Sequence, residues 1–236
     1  GVFTTGSAEP NALVTIGEGA QTDPNIRATM QEIFPGMVAR SQNNWPSLRY
    51  DVLSVNDLLS SFLGAGFYYK TFMWPQSFWS KIYEPVIRRA AGLGALSGQS
   101  NEDLYEKAFA FCDILIIGAG PTGLMAALTA GRAGADVILA DEDSIMGGRL
   151  NGETLMVADQ TGADWAAECV AELTALPNVR LMSRTTVTGA YDQGTYGALE
   201  RLPRGGQDTT EGLPVECFWR IVAKRTILAA GALERG

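Results

Sequence analysis

The sequence predicts an α/β fold in which a parallel sheet runs on into an antiparallel β-meander, with a smaller N-terminal α+β lobe ahead of it. Three observations predict this. Phe111–Ile117 is a nearly continuous apolar run, the pattern of a strand buried on both faces of a parallel sheet. It leads through a glycine-rich turn into a helical stretch and then a second apolar strand, DVILA at 136–140. From Thr185 on, TTVTGAYD, TYGALERL and ECFWRIVAK have the alternating character of meander strands. The chain is therefore divided into an N-terminal lobe, 1–108, and a second domain, 109–236.

Within the first lobe, Pro35-Gly36 suits a type II turn, and a hairpin is expected with arms near 27–34 and 37–43. Apolar spacing in DVLSVNDLLSSFLGAGF and SFWSKIYEPVIRRAAGL predicts two helices, the second bent or restarted at Pro85. Between them GFYYKTFMWP carries five aromatics in residues 67–74. Such a cluster is more often core or subunit interface than a wall for a flat ligand. The polar stretch 96–109 is read as the approach to the next domain.

In the second domain, Pro121–Arg132 reads as a helix closed by Gly134. Ala163–Leu176 is the next helix, and Val179–Met182 a third strand. After the meander, interrupted by PRGGQDTTEGLP, a separate closing strand is expected at Thr226–Ala230. The first residue is Gly1, and AAGALERG stops just past an apolar run. The sequence thus reads as a piece of a longer chain, its second domain truncated at the C-terminal end.

Composition narrows the function classes. With 18 basic and 26 acidic residues the net charge is −8, which argues against nucleic-acid binding, since that depends on clustered Lys and Arg. There is no histidine, so no Ser-His-Asp triad, His-ligated metal or His general base exists within these residues. Cys112, Cys169 and Cys217 are far apart and form no CxxC pair, which points to reduced thiols in a cytoplasmic protein. The uncharged stretch from Ile114 to Gly131 has the length of a membrane span, but Gly118, Gly120, Pro121 and Gly123 break it as a helix, so no membrane is expected.

Those same residues form Gly118-x-Gly120-x-x-Gly123, directly after a strand and opening a helix. In that context the first glycine permits a tight turn, the second lets backbone approach a pyrophosphate, and the third lets helix pack on strand. The helix N-terminus, which opens on Pro121 and Thr122, adds free N–H groups from the residues other than the proline and a positive dipole end. Asp141 stands 18 residues after Gly123 at the end of the second strand, followed by Glu142, where an acid should accept hydrogen bonds from an adenosine ribose. An acid there disfavours a 2′-phosphate, so NAD or FAD is preferred to NADP. The expected domain is a Rossmann-like FAD/NAD(P)-binding fold.

Met146-Gly147-Gly148-Arg149 and the closing TILAAG, with the features above, resemble the FAD/NAD(P)-linked reductase superfamily. The resemblance implies that Gly148, Arg149, Leu150 and Gly231 approach the dinucleotide. It also implies that the strand around Thr186-Val187 meets the adenine.

Longer stretches, including NALVTIGEGAQTDPNIRATMQEIF, SQNNWPSLRYDVLSVNDLLS and AFCDILIIGAGPTGLMAALTAGRAGADVILADED, resemble the α subunits of heterotetrameric sarcosine oxidases. That resemblance covers essentially the whole chain. It implies an oxidoreductase complex with beta, gamma and delta subunits that demethylates sarcosine to glycine, makes hydrogen peroxide and passes the one-carbon unit to tetrahydrofolate. NAD is implied in the Gly-rich fold, with FMN and FAD elsewhere in the complex. The α-type subunits of the related opine and hydroxyproline dehydrogenases imply FAD in the same place. The family's ferredoxin-like segment is expected wholly ahead of GVFTTG, and its folate domain beyond residue 236. No acid/base constellation stands beside the expected nicotinamide position, so no catalytic or metal-binding residue is assigned. The nucleotide is read as a structural or assembly element of the subunit.

Overall fold

A computed structural model of the chain describes residues 13–42, 44–55, 74–100, 103–154, 156–157, 159–202 and 213–232. The chain forms two compact units, which part between Glu102 and Asp103.

In the first unit a three-stranded antiparallel sheet has strand β1 (Leu13–Ile16) at its centre. It is flanked by β2 (Asp23–Arg27) and β3 (Ala39–Ser41). Pro35-Gly36 does make the expected turn: Met37 N–H donates to the Phe34 carbonyl at 3.2 Å, and Gly36 has φ +81°, as the second central position of a type II turn requires. The expected hairpin arms, however, do not pair with each other. The residues after the turn pair with β1 instead, in the register Val14↔Ser41. Side chains that local patterning does not register explain the choice. Gln42 accepts from Thr15 Oγ1 at 2.7 Å and from the Asn25 N–H at 2.8 Å, and donates to Asn25 Oδ1 at 2.9 Å. One amide thus satisfies both flanking segments.

The second expected helix restarts at its proline. A π-helical turn covers Trp79–Tyr83, and an α-helix follows from Glu84 to Ala90 with Pro85 in its first turn. There the missing N–H is harmless. The first expected helix shows only a 3₁₀ turn, Val52–Ser54, before residue 56, beyond which it lies outside the described residues. The aromatic cluster lies outside them too, apart from Trp74.

The second unit is built on one six-stranded sheet. Its strands are β4 (Tyr105–Ile117), β5 (Val137–Ala140), β8 (Val179–Met182), β9 (Thr185–Tyr191), β10 (Thr195–Arg201) and β11 (Glu216–Leu228), in the order β8-β5-β4-β11-β10-β9. A short hairpin, β6 (Met156–Val157) with β7 (Gln160–Thr161), lies between β5 and β8 in sequence. Strands β8, β5, β4 and β11 are parallel, and β9, β10 and β11 form the antiparallel meander.

Two boundaries differ from expectation. The first strand begins at Tyr105, its opening residues 105–107 exposed and 108–112 alternating: Ala110 and Cys112 are buried whereas Phe109 and Phe111 are exposed. The third meander strand and the closing strand are also one element. β11 runs parallel to β4 from Glu216↔Tyr105 to Leu228↔Ile117, and the register is the same on either side of Lys224, the one residue between them that is not paired.

The helices Pro121–Arg132 and Gly162–Ala175 cover one face of the sheet, burying Ile116, Leu124, Leu139 and Leu173 completely. Each such side chain contributes about 1.5–3 kcal/mol on leaving water. On the other face Leu115, Ile138, Met182 and Ile221 form a second core. The sheet curls around that core. Arg180 on β8 stacks over Trp219 on β11 at 4.2 Å, although these strands are not neighbours, and Trp219 Nε1–H donates to Glu200 at 2.6 Å. No helix among the described residues is long and apolar enough to cross a membrane.

Candidate functional site

The C-terminal ends of β4, β5 and β11 open onto one cavity of about 1380 Å³. In parallel sheets this is the end at which ligands bind, and the volume exceeds the ~300–1,000 Å³ of drug-sized pockets.

The Gly-rich turn forms its floor. Gly118 has φ +100°, and a Cβ there would stand 2.5 Å from the Ala229 carbonyl oxygen, so β11 ends against this turn only because the position is glycine. Gly120 caps the Pro121–Arg132 helix and has no atom within 4 Å of its absent Cβ, so its backbone faces open cavity. The first intrahelical bond runs from Leu124 N–H to the Gly120 carbonyl at 2.9 Å; of the earlier groups, Gly118 N–H donates to the Ala140 carbonyl and Ala119 N–H to Asp141, which leaves the N–H groups of Gly120 and Thr122 facing the cavity. Pro121 and Thr122 line the cavity, whereas Gly123 is buried beneath it against Gly118.

The other predicted residues converge on the same space. Asp141 and Glu142 lie at the end of β5; Gly148, Arg149 and Leu150 come from the loop before β6; Thr186 and Val187 come from β9; Gly231 follows β11. Twelve of the thirteen predicted site residues therefore line one cavity, Gly123 being the exception. Gly148 packs onto Gly120, its absent Cβ only 3.1 Å from the Gly120 Cα, and Gly147 N–H donates to the Ala119 carbonyl at 2.9 Å.

Sequence reasoning missed several lining residues. Asp143 and Glu153 extend the acidic side of the wall, Thr185 and Thr188 flank the predicted pair on β9, and Leu228–Ala230 form the wall beside Gly231. Glu153 had a visible signal: it stands four residues after Arg149, and the two pair at 2.8 Å. Charged lining residues are thus Asp141, Glu142, Asp143 and Glu153 against Arg149. Partial burial, reinforced by Asp141 and Glu142, pushes the Asp143 carboxyl above its ordinary range. Such a wall repels a 2′-phosphate and suits ribose hydroxyls.

Does the space fit a dinucleotide? The open backbone at Gly120 admits a diphosphate. In addition, Thr186 Oγ1 is buried with no hydrogen-bond partner among the described residues. Orphaned polar atoms of this kind are uncommon in finished interiors. Among the described residues no group of three or more Cys, Asp or Glu side chains is placed to hold a metal.

Residues 113–211 match the family model described as FAD dependent oxidoreductase. Residues 1–44 match a 2Fe-2S iron-sulfur cluster binding domain, so the ferredoxin-like segment reaches into this chain and does not lie wholly ahead of Gly1. Such clusters are held by Cys thiolates. Residues 1–44 contain no cysteine, the first being Cys112, and therefore do not fit the cluster.

The sarcosine oxidase alpha subunit of Rhizobium meliloti (strain 1021) is 57% identical over 235 residues, covering 100% of this chain and 24% of its own length. The sarcosine oxidase alpha subunit of Corynebacterium sp. (strain U-96) is 30% identical over 239 residues, covering 100% of this chain and 20% of its own length. The opine oxidase A subunit of Agrobacterium tumefaciens (strain Ach5) is 42% identical over 131 residues, covering 53% of this chain and 25% of its own length. The chain, which spans about a quarter of the length of these relatives, is similar over its whole length to sarcosine oxidase alpha subunits.

Proposed function

We propose that this chain is the dinucleotide-holding part of an oxidoreductase alpha subunit that works in a sarcosine oxidase complex. The observation that carries the reading is the convergence of the Gly-rich turn, the acidic end of β5, the Gly148–Leu150 loop and the end of β11 on one cavity. The N–H groups of Gly120 and Thr122 and the Arg149 guanidinium meet the diphosphate. The acidic wall faces the ribose, and the Thr186-Val187 segment receives the adenine. In the whole complex this predicts oxidative demethylation of sarcosine to glycine, with hydrogen peroxide and methylene-tetrahydrofolate as products and beta, gamma and delta subunits as partners. The protein's own residues bind and orient here; the redox chemistry is the cofactor's. Three buried, unpaired cysteines support a reducing, cytoplasmic setting.

NAD is the dinucleotide we favour, on the resemblance to the sarcosine oxidase alpha subunits. FAD is the second reading, and the match of 113–211 to an FAD-dependent family favours it. Mass spectrometry of the ligand released from purified protein decides between them. NAD, with no flavin absorbance, is the expected result; FAD alone refutes the NAD assignment, and release of no nucleotide counts against the site itself.

A further inference from the structure

The N-terminal half of β4 has a neighbouring strand on one side only among the described residues. Towards β11 the ladder begins at Tyr105, whereas towards β5 it begins at Ile114, just after a bond from Asp113 N–H to the Asp136 carbonyl at 2.8 Å. From Glu106 to Cys112 the strand is therefore a sheet edge. Successive residues of a strand turn their N–H and C=O groups to opposite sides. With Asp113 N–H on the β5 side, the groups of Phe111, Phe109 and Lys107 face that side too, where no described strand follows. A row of open main-chain donors and acceptors is a template for another strand.

The side chains of the same row favour pairing. Long edges are ordinarily blunted by charges, prolines or bulges, yet here Phe109 and Phe111 stand on one sheet face, 64% and 72% exposed. That face continues across the meander. Arg220 on β11 stacks over the Phe109 ring at 5.6 Å. Gly197 on β10 has no side chain, and the Phe218 and Tyr191 rings come within 3.0 and 3.5 Å of its absent Cβ. The charges of this aromatic face are cations, Lys107 and Arg220, and neither is paired with a carboxylate among the described residues. Its complement is a strand bearing apolar side chains and carboxylates. A second copy of this row, which has no acid, does not supply that, and neither lipid nor nucleic acid can continue a main-chain ladder.

We propose that Glu106–Cys112 is a docking edge, to which an extended segment of another subunit of the oxidase complex adds as a strand. The added strand lays apolar side chains beside Phe109 and Phe111 and turns carboxylates towards Lys107 and Arg220. This rests on the subunit reading above. The test uses the full-length alpha chain, co-expressed with the other subunits and purified as the complex. Amide hydrogen exchange reads the edge without any substitution. Strand addition should slow the N–H groups of Lys107, Phe109 and Phe111 to within about tenfold of Ala108 and Ala110, which the β11 ladder already holds. Photoreactive p-benzoylphenylalanine in place of Phe111 should cross-link to a peptide of another subunit. Phe111→Glu should lower recovery of that subunit by about tenfold or more and leave ADP affinity unchanged, because Phe111 lies outside the cavity. Edge amides that exchange in the intact complex as fast as those of an open strand overturn the proposal. A cross-link confined to the alpha chain, to a second copy of it, or to lipid or nucleic acid overturns it equally. An alpha chain that purifies with no other subunit refutes the subunit reading itself, and the docking edge falls with it.

Discussion

A methyl group on Gly123 would stand 1.9 Å from the carbonyl oxygen of Gly118, closer than any packing allows. The helix and the strand before it meet backbone to backbone at this point, and the contact sets where the cavity floor lies. Gly123→Ala must push the helix away from β4. We expect a stability loss of about 3 kcal/mol, the upper range for overpacking, together with loss of nucleotide binding. Gly120→Ala separates the two effects. Its backbone is extended, φ −69° and ψ −176°, with no atom within 4 Å of the added carbon. Stability should hold to about 0.5 kcal/mol, while affinity for ADP falls by roughly tenfold or more because the methyl occupies the diphosphate approach. Thermal denaturation and ADP titration of both variants check this; equal destabilisation by the two removes the distinction.

Arg149 is the cation among the lining side chains, and it is held by Glu153 while remaining 73% exposed. An exposed pair of this kind contributes ~0–1 kcal/mol to stability, so Arg149→Ala should leave the melting temperature nearly unchanged. It should weaken ADP binding by roughly tenfold, the scale of one charge-assisted hydrogen bond to a phosphate. The salt dependence of binding should also flatten, because screening acts on the lost attraction. Unchanged affinity at low salt would remove Arg149 from the diphosphate site.

The cavity was largely legible in the sequence because its parts are short and contiguous: a strand, three spaced glycines, an acid at the next strand end and Gly147-Gly148-Arg149. Each is a local pattern with a local physical cause. The Asp141–Ala119 bond was not legible, since it joins residues 22 apart that meet only when β4 and β5 pair. Nor was the fusion of the closing strand with the meander, which depends on β4 being long enough to carry β11 along its whole length. The N-terminal sheet was misread for a similar reason. Ala39–Ser41 is exposed throughout and shows no buried face, so its partner is chosen by the Gln42 hydrogen bonds and not by alternation.

Asp113 on β4 and Lys224 on β11 pair at 2.6 Å, and Asp113 also accepts the Asp136 N–H at 3.0 Å. The Lys224 side chain, with that N–H, holds the Asp113 carboxyl below its ordinary range. A carboxyl lowered in the folded state stabilises the fold above its unfolded pKa, and the contribution disappears as pH falls through the folded value. Lys224→Met should therefore lower the melting temperature at neutral pH and lose less between neutral pH and pH 2–3 than wild type does. Parallel curves for the two proteins across that acid range would show that the pair contributes nothing.

Cys112 offers a test at the alkaline end. Its side chain is buried on β4, and burial, with smaller contributions from Asp136 and Asp113, pushes the thiol up to about 11. Only the thiolate reacts with alkylating agents, so at pH 8 on the order of one Cys112 in a thousand is reactive. Native protein should therefore resist iodoacetamide at this position, and labelling should follow the unfolding rate on addition of denaturant, as peptide mass spectrometry would show. The same shift has a stability consequence. Between the ordinary thiol pKa near 9 and about 11 the unfolded chain has released this proton and the folded chain has not. Stability therefore falls as pH rises through that window. Cys112→Ala should flatten the fall while leaving the acid limb unchanged. Rapid labelling of Cys112 in the native protein at pH 8 would mean that β4 opens on its own, which the pairing of all but one residue of its length with β11 argues against.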